Sequence, residues 1–218
     1  MLYRLWQFLF PPKCILCRSF LTKDETDLCH RCREKAPEVG KEKFRYNFVA
    51  RWCAVWYYKD DVRNSLLRYK FSRKRSYAGP YARLLAMKLR HTGMDDPQVL
   101  TWVPVSTLRR WKRGYDQTQT LAMEVARELG IPAVKTLKKI RHTPPQSGIS
   151  DAAARRANVL DAYKVTDPAL VRDKSILLLD DILTTGATVS ECAKTLHFAG
   201  AREVNCAVVA VASHSDKK

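Results

Sequence analysis

The residues from Ser175 to Thr188, Ser-Ile-Leu-Leu-Leu-Asp-Asp-Ile-Leu-Thr-Thr-Gly-Ala-Thr, carry the most chemistry in this chain. An apolar run, Ile176 to Leu179, reads as a buried strand that ends in two adjacent carboxylates, Asp180 and Asp181. A turn of small residues follows, Thr184, Thr185, Gly186, Ala187 and Thr188, and then an amphipathic helix. In that order the backbone N–H groups of the turn converge on one point, and the new helix directs the positive end of its dipole there, which makes a cradle for an oxyanion. Gly186 allows close approach of the backbone, and the threonine hydroxyls add donors. The carboxylates beside the cradle suit sugar hydroxyls, or a Mg²⁺ carried by a polyphosphate. Together they fit a sugar phosphate better than a nucleoside triphosphate, and the absence of G-x-x-x-x-G-K-[ST] argues against a P-loop.

A second constellation is Cys14-x-x-Cys17 and Cys29-x-x-Cys32, two knuckles with eleven residues between them. That spacing places four thiolates around one Zn²⁺, and a site with four sulfur ligands has no open position for catalysis, so the metal is expected to be structural. His30 lies inside the second knuckle and reads as a bystander. A module this small needs its metal to fold. Its core is expected to be separate from that of the larger domain. Seven cysteines, four of them in a metal pattern, argue against a disulfide scaffold and for a reducing cytosol. Cys53, Cys192 and Cys206 sit in apolar contexts and read as core.

With 218 residues, the chain can hold one ordinary domain and a small module. Its net charge of +17 favours polyanionic partners. No apolar run approaches the roughly 20 residues that span a bilayer. The apolar segment Met1 to Phe10 makes a poor secretion signal and is expected to pack on the body, with a membrane surface as the alternative. The expected location is the cytoplasm, or its border at the inner face of the membrane. Val62 to Met94 contains no acidic residue and interleaves cations with aromatics. Arg68, Lys70, Arg73, Lys74 and Arg75, with Tyr69 and Phe71, therefore form a candidate surface for single-stranded DNA, the cations tracking phosphates and the rings stacking on bases. The competing reading is a solvated basic face whose aromatics belong to the core.

Elements must hold these groups in place. Strands are expected over Phe48 to Tyr58, Val99 to Val103, Ala133 to Leu137, Ile176 to Leu179 and Val204 to Val211. Helices are expected over Val62 to Tyr69, Tyr81 to His91, Asp116 to Leu129 and Val189 to Ala199, with a helical turn from Ser150 to Asn158. Gly79-Pro80 reads as the break between the first two helices, and Gly130 as a C-terminal cap. Alternating strands and helices imply a parallel sheet, which binds ligands beyond the carboxyl ends of its strands.

The acid-pair segment closely resembles the signature loop of type I phosphoribosyltransferases, which bind 5-phosphoribosyl-1-pyrophosphate (PRPP). That resemblance implies that Asp180 and Asp181 face the ribose 2′- and 3′-hydroxyls and that residues 184 to 188 hold the 5′-phosphate, with Mg²⁺ accompanying PRPP. Several further segments are similar to the ComF family of competence-associated, phosphoribosyltransferase-like proteins: the four-cysteine module, Leu67 to Phe71, Val103 to Ser106 with the arginines after it, Arg113 to Gln117, Gln146, Arg155-x-x-Asn158 and Gly200. The resemblance implies a type I phosphoribosyltransferase-like α/β domain over residues 44–218, a parallel sheet with helices on both faces, preceded by a zinc-ribbon-like module over residues 1–43. It maps Val105 and Ser106 onto the loop that holds the leaving diphosphate, with Arg109, Arg110 and Arg113 adding charge. Residues 141 to 156 map onto the flexible catalytic loop, and the hood falls to residues 40 to 60 or to the zinc module. The family usually has Phe-Asn where this chain has Tyr115-Asp116, and the aspartate brings a negative charge beside an anion site. The resemblance also implies handling of single-stranded DNA in natural transformation, with a helicase-type partner and a recombination mediator. An active transferase with a nucleobase acceptor is the alternative, and a metabolite-sensing regulator a third reading.

Overall fold

The computed structural model describes residues 11–40, 44–72, 74–106, 111, 114–141, 143 and 152–213. Its centre is a parallel sheet of β1 (Trp52–Tyr57), β2 (Val99–Trp102), β5 (Ser175–Leu183) and β6 (Glu203–Val211), in the order β1-β6-β5-β2. A small antiparallel pair, β3 (Leu137–Lys139) and β4 (Tyr163–Val165), lies apart from it. The helices are α1 (His30–Lys35), α2 (Asp60–Phe71), α3 (Ala78–Thr92), α4 (Gln117–Leu129), α5 (Ala152–Val159) and α6 (Ala187–Phe198).

Side chains alternate across the sheet, so the central strands bury both faces. Leu177, Leu179, Ala207 and Val209 enter one core with Leu66 and Tyr69 of α2, Leu85 and Leu89 of α3, and Leu121 and Val125 of α4. Ile176, Leu178, Cys206 and Val208 enter a second core with Val189, Cys192 and Leu196 of α6. Helices therefore cover both faces, as expected.

The zinc module does not have a core of its own. Cys14, Ile15, Leu16, Leu28, Cys29 and Cys32 belong to the same buried cluster as α2 and α3. Polar groups seal the junction. Ser65 and Arg68 of α2 donate to the carbonyl of Ile15, and Arg68 also reaches that of Leu16. Arg83 of α3 pairs in bidentate fashion with Asp27.

Three boundaries differ from the sequence reading. The strand expected to stop at Leu179 runs on through both aspartates to Leu183. Ala133 makes only a single bridge to Leu100, and the regular strand there is β3, paired with β4. Gly79 and Pro80 do not separate α2 from α3. They occupy the first turn of α3, where the missing N–H of a proline has no helical partner to lose. α2 ends at Phe71 with Ser72 as its cap, and a short 3₁₀ turn at Arg75–Tyr77 precedes α3.

Candidate functional site

β5 carries the acid pair to the carboxyl edge of the sheet. Asp181 is buried, and its Oδ1 accepts a salt bridge from Lys70 Nζ at 2.9 Å. Asp180 Oδ1 accepts from the Asp181 backbone N–H at 2.8 Å. Burial, and next the Asp181 charge, push the Asp180 carboxyl up to about 8, against the opposing pull of Lys70 and of that N–H. One carboxylate paired with a cation and one carboxyl inclined to keep its proton make a compact, nearly neutral set of oxygens. Such oxygens can accept from, or donate to, vicinal hydroxyls.

Thr184 and Thr185 form the turn, and Gly186 adopts a left-handed φ of +77° as the N-cap of α6. The conformation excludes most other residues. No side chain caps α6 at Gly186, and the Ala187 N–H donates weakly to Thr185 Oγ1 at 3.4 Å. The threonine hydroxyl thus accepts locally. The start of this 12-residue helix, with Thr188 in its first turn, follows the turn directly and aims the positive end of the helix dipole at it. A Cβ on Gly186 would meet Tyr46 Cδ1 at 2.1 Å. Tyr46, from the segment before β1, therefore lies against the loop. Of the two hood candidates, the 40–60 segment reaches it through Tyr46, whereas the cysteine knuckles pack with α2 and α3 in the other core.

β2 neighbours β5, and the Val103 N–H donates to the Leu179 carbonyl at 2.9 Å. Val105, half-buried, and Ser106, buried, follow directly after this contact. Arg109, Arg113 and Arg73, together with Arg110, Gln146 and most of the 141–156 loop, lie outside the described residues.

The four cysteines converge. Their Sγ atoms all lie within 4.8 Å of one another, and Cys17 Sγ and Cys29 Sγ are 3.6 Å apart. Tetrahedral Zn–S bonds of about 2.3 Å require S–S separations of about 3.8 Å, so the set fits zinc. Burial raises the Cys17 thiol, but hydrogen bonds from Ser19, and then from Cys32 and Cys29, outweigh it and bring it down to about 6. A thiolate therefore forms readily at one corner of the site. Burial holds the Cys14 and Cys32 thiols high until a cation is there to share. Zinc here would tie the first knuckle to α1, a structural task.

The basic stretch divides differently from the sequence reading. Tyr69 is fully buried, stacked edge-on against Tyr81 and Tyr115, and its hydroxyl donates to the Gln117 carbonyl. It is a core residue and cannot stack on a base. Arg68 is spent on the carbonyls of the zinc module, and Lys70 on Asp181. Phe71, Lys74 and Arg75 remain exposed. Asp116 has a local explanation: its side chain caps α4 by accepting from the Gln119 N–H at 3.0 Å. Asparagine caps as well as aspartate, so the departure at this position preserves the cap. Two participants were missed. Lys70 already stood inside the Leu67–Phe71 segment, which was the available signal for its role. Tyr46 lies within the 40–60 hood candidate, but nothing in the sequence singles it out from its neighbours.

Residues 119–218 match the phosphoribosyl transferase domain family, and residues 5–44 match the double zinc ribbon domain. Competence protein F of Haemophilus influenzae is 27% identical over 218 residues, covering 88% of this chain and 93% of that protein. The DNA utilization protein YhgH of Escherichia coli O157:H7 is 30% identical over 217 residues, covering 89% of this chain and 94% of that protein. The chain belongs to the ComF family. In this ComF-family chain, a phosphoribosyltransferase-like α/β domain follows a four-cysteine zinc-ribbon module, and both halves of the expectation hold. Competence protein ComFC of Streptococcus pneumoniae is a further relative, 26% identical over 226 residues and covering 88% of this chain and 96% of that protein. No helix among the described residues is long and apolar enough to cross a membrane.

Proposed function

We propose that this ComF-family protein binds PRPP at the carboxyl edge of its sheet and handles single-stranded DNA during DNA uptake. The observation that carries the first half is the continuity of one segment: β5 ends in the acid pair, turns at Gly186 and enters an uncapped helix. A ribose 5-phosphate needs an anion cradle and hydroxyl partners a few residues apart, and this segment supplies both. Asp180 and Asp181 would take the ribose hydroxyls, and Thr184 to Thr188 the 5′-phosphate. The turn after β2, with Val105 and Ser106, would take the diphosphate. Mg²⁺ would arrive with PRPP as part of the substrate and neutralise its phosphates.

The DNA half is supported by the relatives, a competence protein and a DNA utilization protein, and by the net charge of +17. A helicase-type protein and a recombination mediator are the proposed partners, and the cytoplasm the proposed location. An active phosphoribosyltransferase is the second reading, favoured by the intact acid pair. Calorimetry with Mg²⁺ and PRPP on the wild type and on Asp180→Ala/Asp181→Ala tests the site. Loss of hydroxyl partners worth roughly 1–3 kcal/mol each predicts at least tenfold weaker binding. Unchanged affinity in a folded variant would refute it. A gel shift with single-stranded DNA, run with and without PRPP, tests the DNA half and any coupling between the two.

A further inference from the structure

Where the end of α2 meets the start of α4, a cavity of about 510 Å³ opens, lined by Arg75, Trp111, Tyr115, Asp116, Gln119 and Thr120. That volume lies within the range of small-molecule sites. The cavity adjoins the sugar-phosphate site through α2. The Tyr115 hydroxyl donates to the carbonyl of Tyr69, and the Gln117 side chain to that of Lys70 at 3.4 Å. Lys70 is the residue that holds Asp181.

Trp111 and Arg75 give the cavity two planar, exposed surfaces. Trp111 is 80% exposed, the most exposed of the large apolar side chains described. The Arg75 guanidinium lies 5.0 Å over the Tyr115 ring and is pinned by a 2.9 Å bond to the Gly114 carbonyl. A fixed guanidinium plane and an open indole are surfaces on which a flat aromatic ligand stacks. The exposed Gln119 amide adds both a donor and an acceptor at the rim. Asp116 in the lining decides the charge of the occupant, because a carboxylate in the wall disfavours a phosphate or carboxylate inside. Anions are instead drawn to the exposed Lys74, the residue before Arg75, which does not line the cavity. The arrangement asks for a neutral flat ring inside and negative charge outside.

We propose that this cavity is a nucleobase pocket, with Trp111 and Arg75 as its stacking surfaces. The inference rests on the PRPP and single-stranded DNA reading. That reading supplies the two sources of such a ring: an unstacked base of a bound strand, or a free base beside bound PRPP.

Trp111→Ala and Trp111→Phe test it. Their targets are a short labelled oligothymidine, an abasic strand of the same length, and free adenine with and without PRPP. Trp111 is exposed, so both variants should retain the wild-type circular dichroism and melting transition. Loss of one stacked base should weaken oligothymidine binding about tenfold in Trp111→Ala. Trp111→Phe should restore most of it, and the abasic strand should bind wild type and Trp111→Ala alike. Adenine binding that requires PRPP and vanishes in Trp111→Ala would assign the pocket to an acceptor base instead of a strand. Equal binding of oligothymidine and of adenine by wild type and Trp111→Ala would overturn the pocket. Failure of wild type to bind any strand would refute the DNA reading, and the adenine arm would then decide the pocket alone, with no Trp111-dependent adenine binding overturning it.

Discussion

Gly186→Ala isolates the contact between Tyr46 and the turn that follows the acid pair. The substitution meets two separable costs. At φ +77°, an alanine sits in the left-handed region, which costs a non-glycine residue roughly 1–2 kcal/mol. The smaller freedom of the unfolded chain returns about 0.4–1 kcal/mol of this. The new Cβ would also lie 2.1 Å from Tyr46 Cδ1 and 2.4 Å from its Cε1, far inside contact distance. Tyr46 is itself buried, at 8% exposure, and meets Trp52 edge-on at 5.4 Å, so its ring can yield only by repacking. Such overpacking costs roughly 1–3 kcal/mol. In the wild-type background Gly186→Ala should therefore cost roughly 2–4 kcal/mol, and in a Tyr46→Ala background only the backbone part, roughly 1 kcal/mol. Urea unfolding of the wild type, both single variants and the double variant gives the coupling directly. Equal costs in the two backgrounds would mean that Tyr46 does not rest on Gly186, and that residues 44–50 do not cover the loop.

Other consequences can be measured with equal directness. Cys14→Ser/Cys29→Ser should lose stoichiometric zinc by metal analysis. Because the module shares a core with α2 and α3, calorimetry should show the main transition itself shifting down, and an unchanged main transition would refute the shared core. Asp180, raised to about 8 in the folded protein, keeps a proton that the unfolded chain releases above about pH 4. Its contribution is complete below about pH 4 and lost as pH rises through about 8, so the stability difference between Asp180→Asn and wild type should grow in favour of the variant over that window, as read by urea titrations at several pH values. Tyr69→Ala should destabilise by roughly 3–5 kcal/mol as a buried aromatic. Phe71→Ala should lie within about 0.5 kcal/mol of wild type as an exposed one. A loss of DNA binding in Tyr69→Ala that persists without any loss of stability would restore a stacking role.

What could be read beforehand follows from how locally each feature is encoded. The strand-turn-helix segment around Gly186 and the two cysteine knuckles are contiguous patterns; the first forms a strand, a turn and a helix, and the second brings four Sγ atoms together. The basic aromatic stretch is different. Arg68, Tyr69 and Lys70 are consecutive on α2, so each points about 100° from the next. One reaches the zinc module, one the core and one the acid pair. Composition gives the mixture of side chains but not their directions, which depend on elements distant in the chain. The same limit hid the shared core, since Ile15 meets Ser65 and Arg68 only after folding. The strand was read too short because two aspartates interrupt an apolar run. Hydrogen bonding to β6 nevertheless continues past them, pairing Ile182 with Ala210 and Leu183 with Val211. Asp116 shows that a charge beside an anion site can have a local task, in this case capping a helix.

The strand order β1-β6-β5-β2 sets a timetable for biosynthesis. β1 emerges from the ribosome early and finds no neighbour in the main sheet until β6 has been made, because β6 lies between it and β5. Throughout that interval Cys53, Ala54, Val55 and Trp56, all buried in the finished protein, must stay soluble on an apolar strand whose edge towards β6 is unmatched, Pro37 to Val39 meeting only the other edge. Slow translation or premature termination before residue 203 would leave that strand open to pairing with other chains. The yield of intact protein should therefore depend on chaperone capacity during synthesis more than on the stability of the native fold.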